Sequence, residues 1–222
     1  ADKMHTDILS EDLFPSASKC KSCHEDIYRE WASSNHAYAS LSPMFHKFEN
    51  AINSLAPTIN TFCVRCHATV STQMGEAREL PMWERKQVSR EGITCITCHR
   101  VNTAYGKANG SRNIVMGEIF EPVYGVLGGD GIKEVVENAS TWKVATNSDE
   151  RGNQIHNEGK IFTQLNQSEF CVSCHQVAVN LGIKLEVVWD QYRDSPAHAQ
   201  GVSCQDCHMS YKPGVAGHFK TG

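Results

Sequence analysis

Five times the chain writes two cysteines, two spacer residues and a histidine. The copies are Cys20-Lys-Ser-Cys23-His24, Cys63-Val-Arg-Cys66-His67, Cys95-Ile-Thr-Cys98-His99, Cys171-Val-Ser-Cys174-His175 and Cys204-Gln-Asp-Cys207-His208. All 10 cysteines fall inside them. A disulfide framework spaces its cysteines to staple distant loops, and it leaves the histidine unexplained. Structural zinc needs four ligands, and five pairs do not divide evenly into all-cysteine tetrahedra. A redox dithiol would occur once or twice in a thioredoxin-like setting. Covalent haem c attachment uses every residue of the motif: the thiols add to the two vinyl groups of a porphyrin, and the next residue brings an imidazole to the iron. The sequence therefore predicts five covalently attached haem c groups, bound through Cys20, Cys23, Cys63, Cys66, Cys95, Cys98, Cys171, Cys174, Cys204 and Cys207, with His24, His67, His99, His175 and His208 as proximal iron ligands.

That reading constrains the fold. At 222 residues each site has about 44 residues to cover it, and a domain of this length has a radius of gyration near roughly 17 Å. Five macrocycles in that volume are close neighbours, near enough for electrons to tunnel between them. The expected class is mainly α with long irregular loops and little β, a multihaem cytochrome c whose core is formed by stacked haems. The 40% hydrophobic content and mean hydropathy of -0.41 suit a modest polypeptide core. No run approaches the roughly 18 apolar residues of a membrane span, so no transmembrane anchor is expected. The opening Ala1-Asp2-Lys3 reads as that of an exported chain whose signal peptide has been removed. The formal charge of -4, with ten propionates added against five ferric centres, falls to about -9. Other redox proteins with a basic docking face are thus the expected partners; no basic cluster points to nucleic acid.

Of the 11 histidines, six lie outside the motifs: His5, His36, His46, His156, His198 and His218. They nearly match the demand of five irons for a second imidazole, which predicts mostly bis-histidine ligation with one spare. His36 follows His24 by 12 residues through a stretch of helix-forming composition, about 18 Å along a helix axis, and so serves a different iron from His24. The same holds for His198, placed at the end of a helix expected from about 185 to 193. His218 follows a Pro-Gly loop that can fold back on the last haem or a neighbouring one. His46 and His5 are the weakest candidates. The six methionines recur at no fixed offset, and the tryptophans and tyrosines are expected to pack on porphyrin faces.

A single domain spans 1–222, with sites one to three in 17–110, a cysteine-free insert over 111–165 and sites four and five in 166–222. Within the insert, 114–129 reads as irregular loop with a short hairpin. A weak repeat links Trp31-Ala-Ser-Ser34-Asn-His36-Ala37 with Tyr192-Arg-Asp-Ser195-Pro-Ala-His198-Ala199, each an aromatic, a serine and a His-Ala pair at a helix end.

The segment Lys19 to His24 followed by Trp31 and Ser34-Asn35-His36-Ala37, then the second motif, Gly92-Ile-Thr with the third, and Phe170 with the fourth, resemble in order the four haem sites of the cytochrome c-554 family over about 17–180. The resemblance implies stacked and perpendicular haem pairs of the kind shared with hydroxylamine oxidoreductase and pentahaem nitrite reductases, periplasmic electron transfer, and a five-coordinate second haem. It further implies that His36 caps the third haem. The family's distal histidine just after the third motif is missing from 101–110, so His156 would stand in for it. The fifth site, from Asp194-Ser195 to His208-Met209, is similar instead to one in membrane-anchored quinol-oxidising cytochromes.

Three functions stay open. The first is a periplasmic or cell-surface electron carrier with six-coordinate haems, favoured over an enzyme because spare histidines are plentiful and no proximal histidine is replaced by lysine. The second is a reductase or oxidase acting on a small nitrogen or sulfur oxyanion at one open iron, with the site at His67 the natural exception unless His46 closes it. The third is a subunit that self-associates into an extracellular cytochrome filament, lending His5 to a neighbour's iron.

Overall fold

The computed structural model describes residues 11–59, 61–103, 108–110, 112–180 and 182–209, together with 213 and 217. Short helices carry the chain: α1 Ala17–Lys21, α2 Glu25–Ala32, α3 Asn35–Tyr38, α4 Pro43–Leu55, α5 Val64–His67, α6 Thr69–Gln73, α7 Cys95–His99, α8 Asp130–Glu137, α9 Ala139–Trp142, α10 Val172–His175, α11 Val188–Arg193, α12 Pro196–Ala199 and α13 Cys204–His208. The strands β1 Val123–Gly125, β2 Val144–Ala145, β3 Asn153–Gln154, β4 Gly159–Ile161, β5 Val177–Asn180 and β6 Ile183–Glu186 pair only as two-stranded ribbons, so the mainly α class with little β holds.

Each motif closes into a helical turn at its histidine. The histidine amide bonds back to the first cysteine carbonyl in the first, second and fourth copies, His24 N at 2.9 Å, His67 N at 3.2 Å and His175 N at 3.0 Å, which draws both thiols and the imidazole into one turn of chain, though in the first copy that turn lies between α1 and α2.

Three local readings change. The helix expected to run on to His36 breaks at Ser33-Ser34, because the Ser34 hydroxyl turns back to the Trp31 carbonyl at 2.7 Å and starts a new turn as N-cap of α3. The helix expected from 185 begins only at Val188: residues 183–186 are drawn into an antiparallel ribbon with β5, Val177 facing Glu186. The hairpin expected in 114–129 is absent; Val123–Gly125 pairs in parallel with Gly159–Ile161, far along the chain.

Buried apolar side chains form three small clusters, each reaching a motif. Phe14, Val70, Met74, Val88, Ile96 and Ile114 pack beside the third motif; Cys23, Val135, Val144 and Ile155 at the first; Phe45, Val64, Ala68 and Met82 at the second. Large apolar residues such as Met44, Phe48, Leu55, Leu185 and Met209 stay exposed in the polypeptide alone.

The repeat is structural. Trp31 Nε1 donates to the Ile93 carbonyl at 2.7 Å and Tyr192 Oη to the Val202 carbonyl at 3.0 Å, in each case two residues before a motif's first cysteine. The return bonds match as well, Ile93 N to His36 O at 2.9 Å and Val202 N to Ala197 O at 2.9 Å. A glycine with positive φ precedes each docked residue, Gly92 at 71° and Gly201 at 74°. At Gly92 the close approach demands it: a Cβ would collide with the His36 carbonyl and come within 2.8 Å of that of Ala37.

Candidate haem-binding sites

Two imidazole pairs face each other. The rings of His24 and His156 lie 6.4 Å apart between centroids and 6° from parallel; those of His36 and His175 lie 6.2 Å apart, tilted by 60°. Two imidazoles bound on opposite sides of one metal ion, at about 2.0 Å per bond, place their centroids about 6 Å apart, so the donor sets fit iron at these two sites. The protonation states agree. Burial, and then the neighbouring His24, lower His156 to about 4, and burial followed by His175 lowers His36. A lowered histidine pKa means neutral imidazole at neutral pH, the form that binds metal.

One partner differs from what the resemblance implied: His36 faces the histidine of the fourth motif, not the third, while His156, the stand-in for the family's distal histidine, faces that of the first. The break at Ser33-Ser34 turns His36 off the line of α2, which sequence distance could not reveal.

His67 and His99 have their Nδ1 atoms fixed by backbone carbonyls, His67 by Ala39 at 3.0 Å and His99 by Tyr124 at 2.8 Å. Nδ1 is then the protonated nitrogen, leaving the Nε2 lone pair for a metal. Burial lowers the His99 pKa, opposed by that Tyr124 carbonyl. The ring packed on His67 is Phe45, 4.3 Å away and 9° from parallel. His46 is engaged elsewhere: its Nε2 lies 2.7 Å from the Ser40 carbonyl. His198 is exposed, its ring edge-on to Tyr192 at 5.1 Å, and His208 is exposed at the end of α13. His5 and His218 lie outside the described residues. Gly217, just before His218, passes beside the first site, where a Cβ would come 3.0 Å from His24 Cε1.

Sequence spacing could not give the order in which the sites touch. Cys20 of the first motif and Cys95 of the third meet thiol to thiol, as do Cys66 of the second and Cys174 of the fourth, and Cys171 of the fourth and Cys204 of the fifth. In the free thiols these contacts divide the protons. Hydrogen bonding lowers Cys20 at the expense of Cys95, and lowers Cys174 to about 5 at the expense of Cys66, while burial pushes Cys171 up to about 12. Thioether formation would remove these protons.

Each junction has its own clamp. Between the first and third sites Glu91 accepts from Ser16 Oγ, from Ala17 N at 2.9 Å and from Thr94 Oγ1 at 3.3 Å. Between the second and fourth a strap crosses at Asn109-Gly110: Arg65 donates to the Asn109 carbonyl at 3.3 Å, and the amides of Asn109 and Gly110 donate to Gln176 at 3.0 Å and Ser173 at 2.8 Å. Asn109 takes a left-handed φ of 56°, held by its own side chain on both backbone groups of Ala178. Between the fourth and fifth, Cys204 N donates to Ser168 Oγ at 2.9 Å, and Gln205 reaches the carbonyls of Leu165 and Gln167 at 2.9 and 2.8 Å. None of Glu91, Asn109 or Gln205 stands out in the sequence; proximity to a motif, four residues before Cys95 or one after Cys204, was the only available signal.

Comparison with known proteins bears on this framework. A crystal structure of a penta-heme cytochrome c552 from Thermochromatium tepidum superimposes with a TM-score of 0.59 at 23% identity, covering 94% of this chain and 57% of that one. The fold is therefore shared, and the chain spans little more than half the length of that structure. Searches of curated proteins give no match. The family model described as cytochrome c554 and c-prime matches residues 19–100 and 134–209, leaving out 101–133. With those matches taking in all five motifs and both facing imidazole pairs, the chain belongs to the cytochrome c554 and c-prime family, as a multihaem c-type cytochrome.

Proposed function

We propose that the chain is an exported electron conduit with five haem c groups, arranged so that the fourth site is a branch point joined to the first through the third, to the second and to the fifth. Electron transfer by c-type haems is the family's business; the count, the ligands and the wiring are this reading's own. The observations that carry it are the meeting of cysteines from the first and third, second and fourth, and fourth and fifth motifs, and the nearness of Cys98 in the third motif to Cys171 and Cys174 in the fourth, close enough for their charges to act on one another. Haem c supplies reversible one-electron chemistry at iron. The polypeptide contributes fixed positions, through the clamps at Glu91, Asn109-Gly110 and Ser168-Gln205. It also contributes neutral imidazoles as axial pairs, His24 with His156 and His175 with His36, leaving His198, His218 and His5 to complete the irons of His99 and His208. Haem c is attached outside the bacterial cytoplasm, which puts the chain in the periplasm or on the cell surface. A charge near -9 in the loaded protein, about -4 from the polypeptide and the rest from propionates, favours a redox partner with a basic face. Mass spectrometry of the purified protein tests this directly: five covalent haems are expected, and any smaller number sinks the reading.

One observation favours a second reading for a single site. The imidazole that could have closed the iron of His67 is held by the Ser40 carbonyl, and the ring packed on His67 is Phe45. An open iron there would admit a small nitrogen or sulfur oxyanion. Low-temperature electron paramagnetic resonance of the oxidised protein separates the two. High-spin signal amounting to one haem, altered by nitrite or hydroxylamine, supports an open site; low-spin signals alone support a pure conduit. Sedimentation at high concentration tests for a filament, which compact monomers or dimers would exclude.

A further inference from the structure

Arg112 is buried, with 7% of its surface exposed, and it sits where three motifs converge. Its guanidinium lies 3.8 Å above the Phe170 ring, and Nη2 donates to the Phe170 carbonyl, the residue before Cys171. Two residues before it, Gly110 carries the strap: its amide is bonded to Ser173, inside the fourth motif, and its carbonyl receives the Cys66 thiol of the second at 3.9 Å. The same positive charge acts on thiols of the second, third and fourth motifs: it adds to the hydrogen bond from Cys66 that lowers Cys174, it opposes the burial and neighbouring thiols that keep Cys66, Cys98 and Cys171 raised, and it disfavours a proton on His36. Among the described residues Arg112 has no ion pair, and its Nη1, fully buried, has no hydrogen-bond partner.

No side chain among the described residues offsets this buried charge, and a cation left so is costly to keep, which leaves the propionates of a haem attached at these cysteines as the anions that would face it. Anchoring the Phe170 carbonyl does not require a charge, since a neutral donor would do it. The charge itself is what remains to be explained. A ferric centre loses one unit of positive charge on taking up an electron, and a nearby fixed cation in a medium of low dielectric favours that reduced state.

We propose that Arg112 sets the electron affinity of the fourth attachment site, raising its reduction potential so that an electron entering the branch point is held there before it leaves. The inference rests on the conduit reading above, and Arg112 is a positioning residue for charge rather than an iron ligand. The test is a potentiometric titration of the loaded protein, followed by visible absorption and electron paramagnetic resonance, for wild type, Arg112→Met and Arg112→Lys, each checked for covalent haem by mass. In R112M one reduction step should move to lower potential, with the reduced fraction of that site falling several-fold at the wild-type midpoint, while R112K keeps the step near its original position. An unmoved titration in R112M with all haems attached overturns the proposal. So does an R112K that moves as far as R112M, which would assign the effect to the shape of the guanidinium. Should R112M mature incompletely, the wild type still decides: on partial reduction the ferric signal of the fourth site should fade before that of the fifth, and the reverse order overturns the proposal. A wild-type mass showing no haem on Cys171 and Cys174 would instead sink the conduit reading itself.

Discussion

Gly92 is a single residue on which the facing pair of His36 and His175, proposed above as axial ligands, depends at a distance. Its backbone passes so close to His36 and Ala37 that a methyl group cannot enter, and His36 is the partner of His175. Gly92→Ala should therefore displace the α3 turn and convert about one haem's worth of low-spin signal to high-spin, without altering the haem count. An unchanged spectrum would show that the turn slides freely. A second residue-scale prediction concerns the buried ion pair of Arg78 with Glu49, beside Cys63. Arg78→Met strands a carboxylate in the interior and should cost about 3–5 kcal/mol in denaturant unfolding. Adding Glu49→Leu should recover most of it, and a double variant as unstable as the single one would argue that Arg78 matters through its stem alone. At this scale the sequence was most legible where chemistry fixes spacing. All five motifs were readable because thioether and imidazole must share one helical turn. The rings that face His24 and His175 were not, since both depend on where separate segments end up; His156 lies 132 positions from the ring it faces.

Among the elements, α13 shows how a few polar groups hold a site in place. Ser203 caps it, with Ser203 Oγ accepting from Asp206 N at 3.2 Å and Asp206 Oδ2 accepting in turn from Ser203 N at 2.7 Å. Ser203→Ala should loosen this turn by about 1 kcal/mol, seen as faster amide exchange at Asp206. The Ser203 backbone and hydroxyl hold the Asp206 carboxyl below the usual carboxylate range. A carboxylate of lowered pKa stabilises the fold above its unfolded pKa and loses that contribution as pH falls through the folded value. The protection of α13 amides, relative to the intrinsic exchange rate at each pH, should thus fall on acidification below the ordinary carboxylate range, and in Asp206→Asn it should be flat over the same window. Equal pH dependence in the variant would rule out the box as the cause. The elements also show why the sequence pattern began the helix of 188–193 too early, at about 185. Ile183-Lys-Leu-Glu has ordinary helix formers, but pairing with Val177–Asn180 outweighs so weak a preference. The helix starts only past the ribbon, where the Glu186 carboxylate accepts from Val188 N at 3.1 Å.

For the molecule as a whole, branching is the property to test. If the fourth site joins the others, Cys171→Ala with Cys174→Ala should leave the fifth site isolated, so that a donor docking at the first site reduces it slowly in stopped-flow absorption. Cys204→Ala with Cys207→Ala should leave the remaining four in rapid exchange. Comparable rates in both variants would mean that the sites are wired some other way. Raising ionic strength should slow reduction by a basic donor protein, because the attraction is screened over about 8 Å at physiological salt; a rate that rises with salt would deny the basic partner. Mainly helical architecture with little strand was foreseeable from the density of motifs, whereas the three separate clusters, each resting on a motif, became visible only with the chain folded.

The docked unit that occurs twice, an aromatic clasp and a serine-capped turn set against a Gly-x-x-Cys entry, has a consequence for how such chains grow. In the first copy histidine stands two places after the serine and in the second three, on backbones that make the same bonds. One residue of slippage turns a side chain through about 100° on a helix. If these histidines serve irons as proposed, a lineage that copied this unit would gain another cofactor site without inventing a fold, and shifting one letter within it would choose which neighbour the imidazole serves.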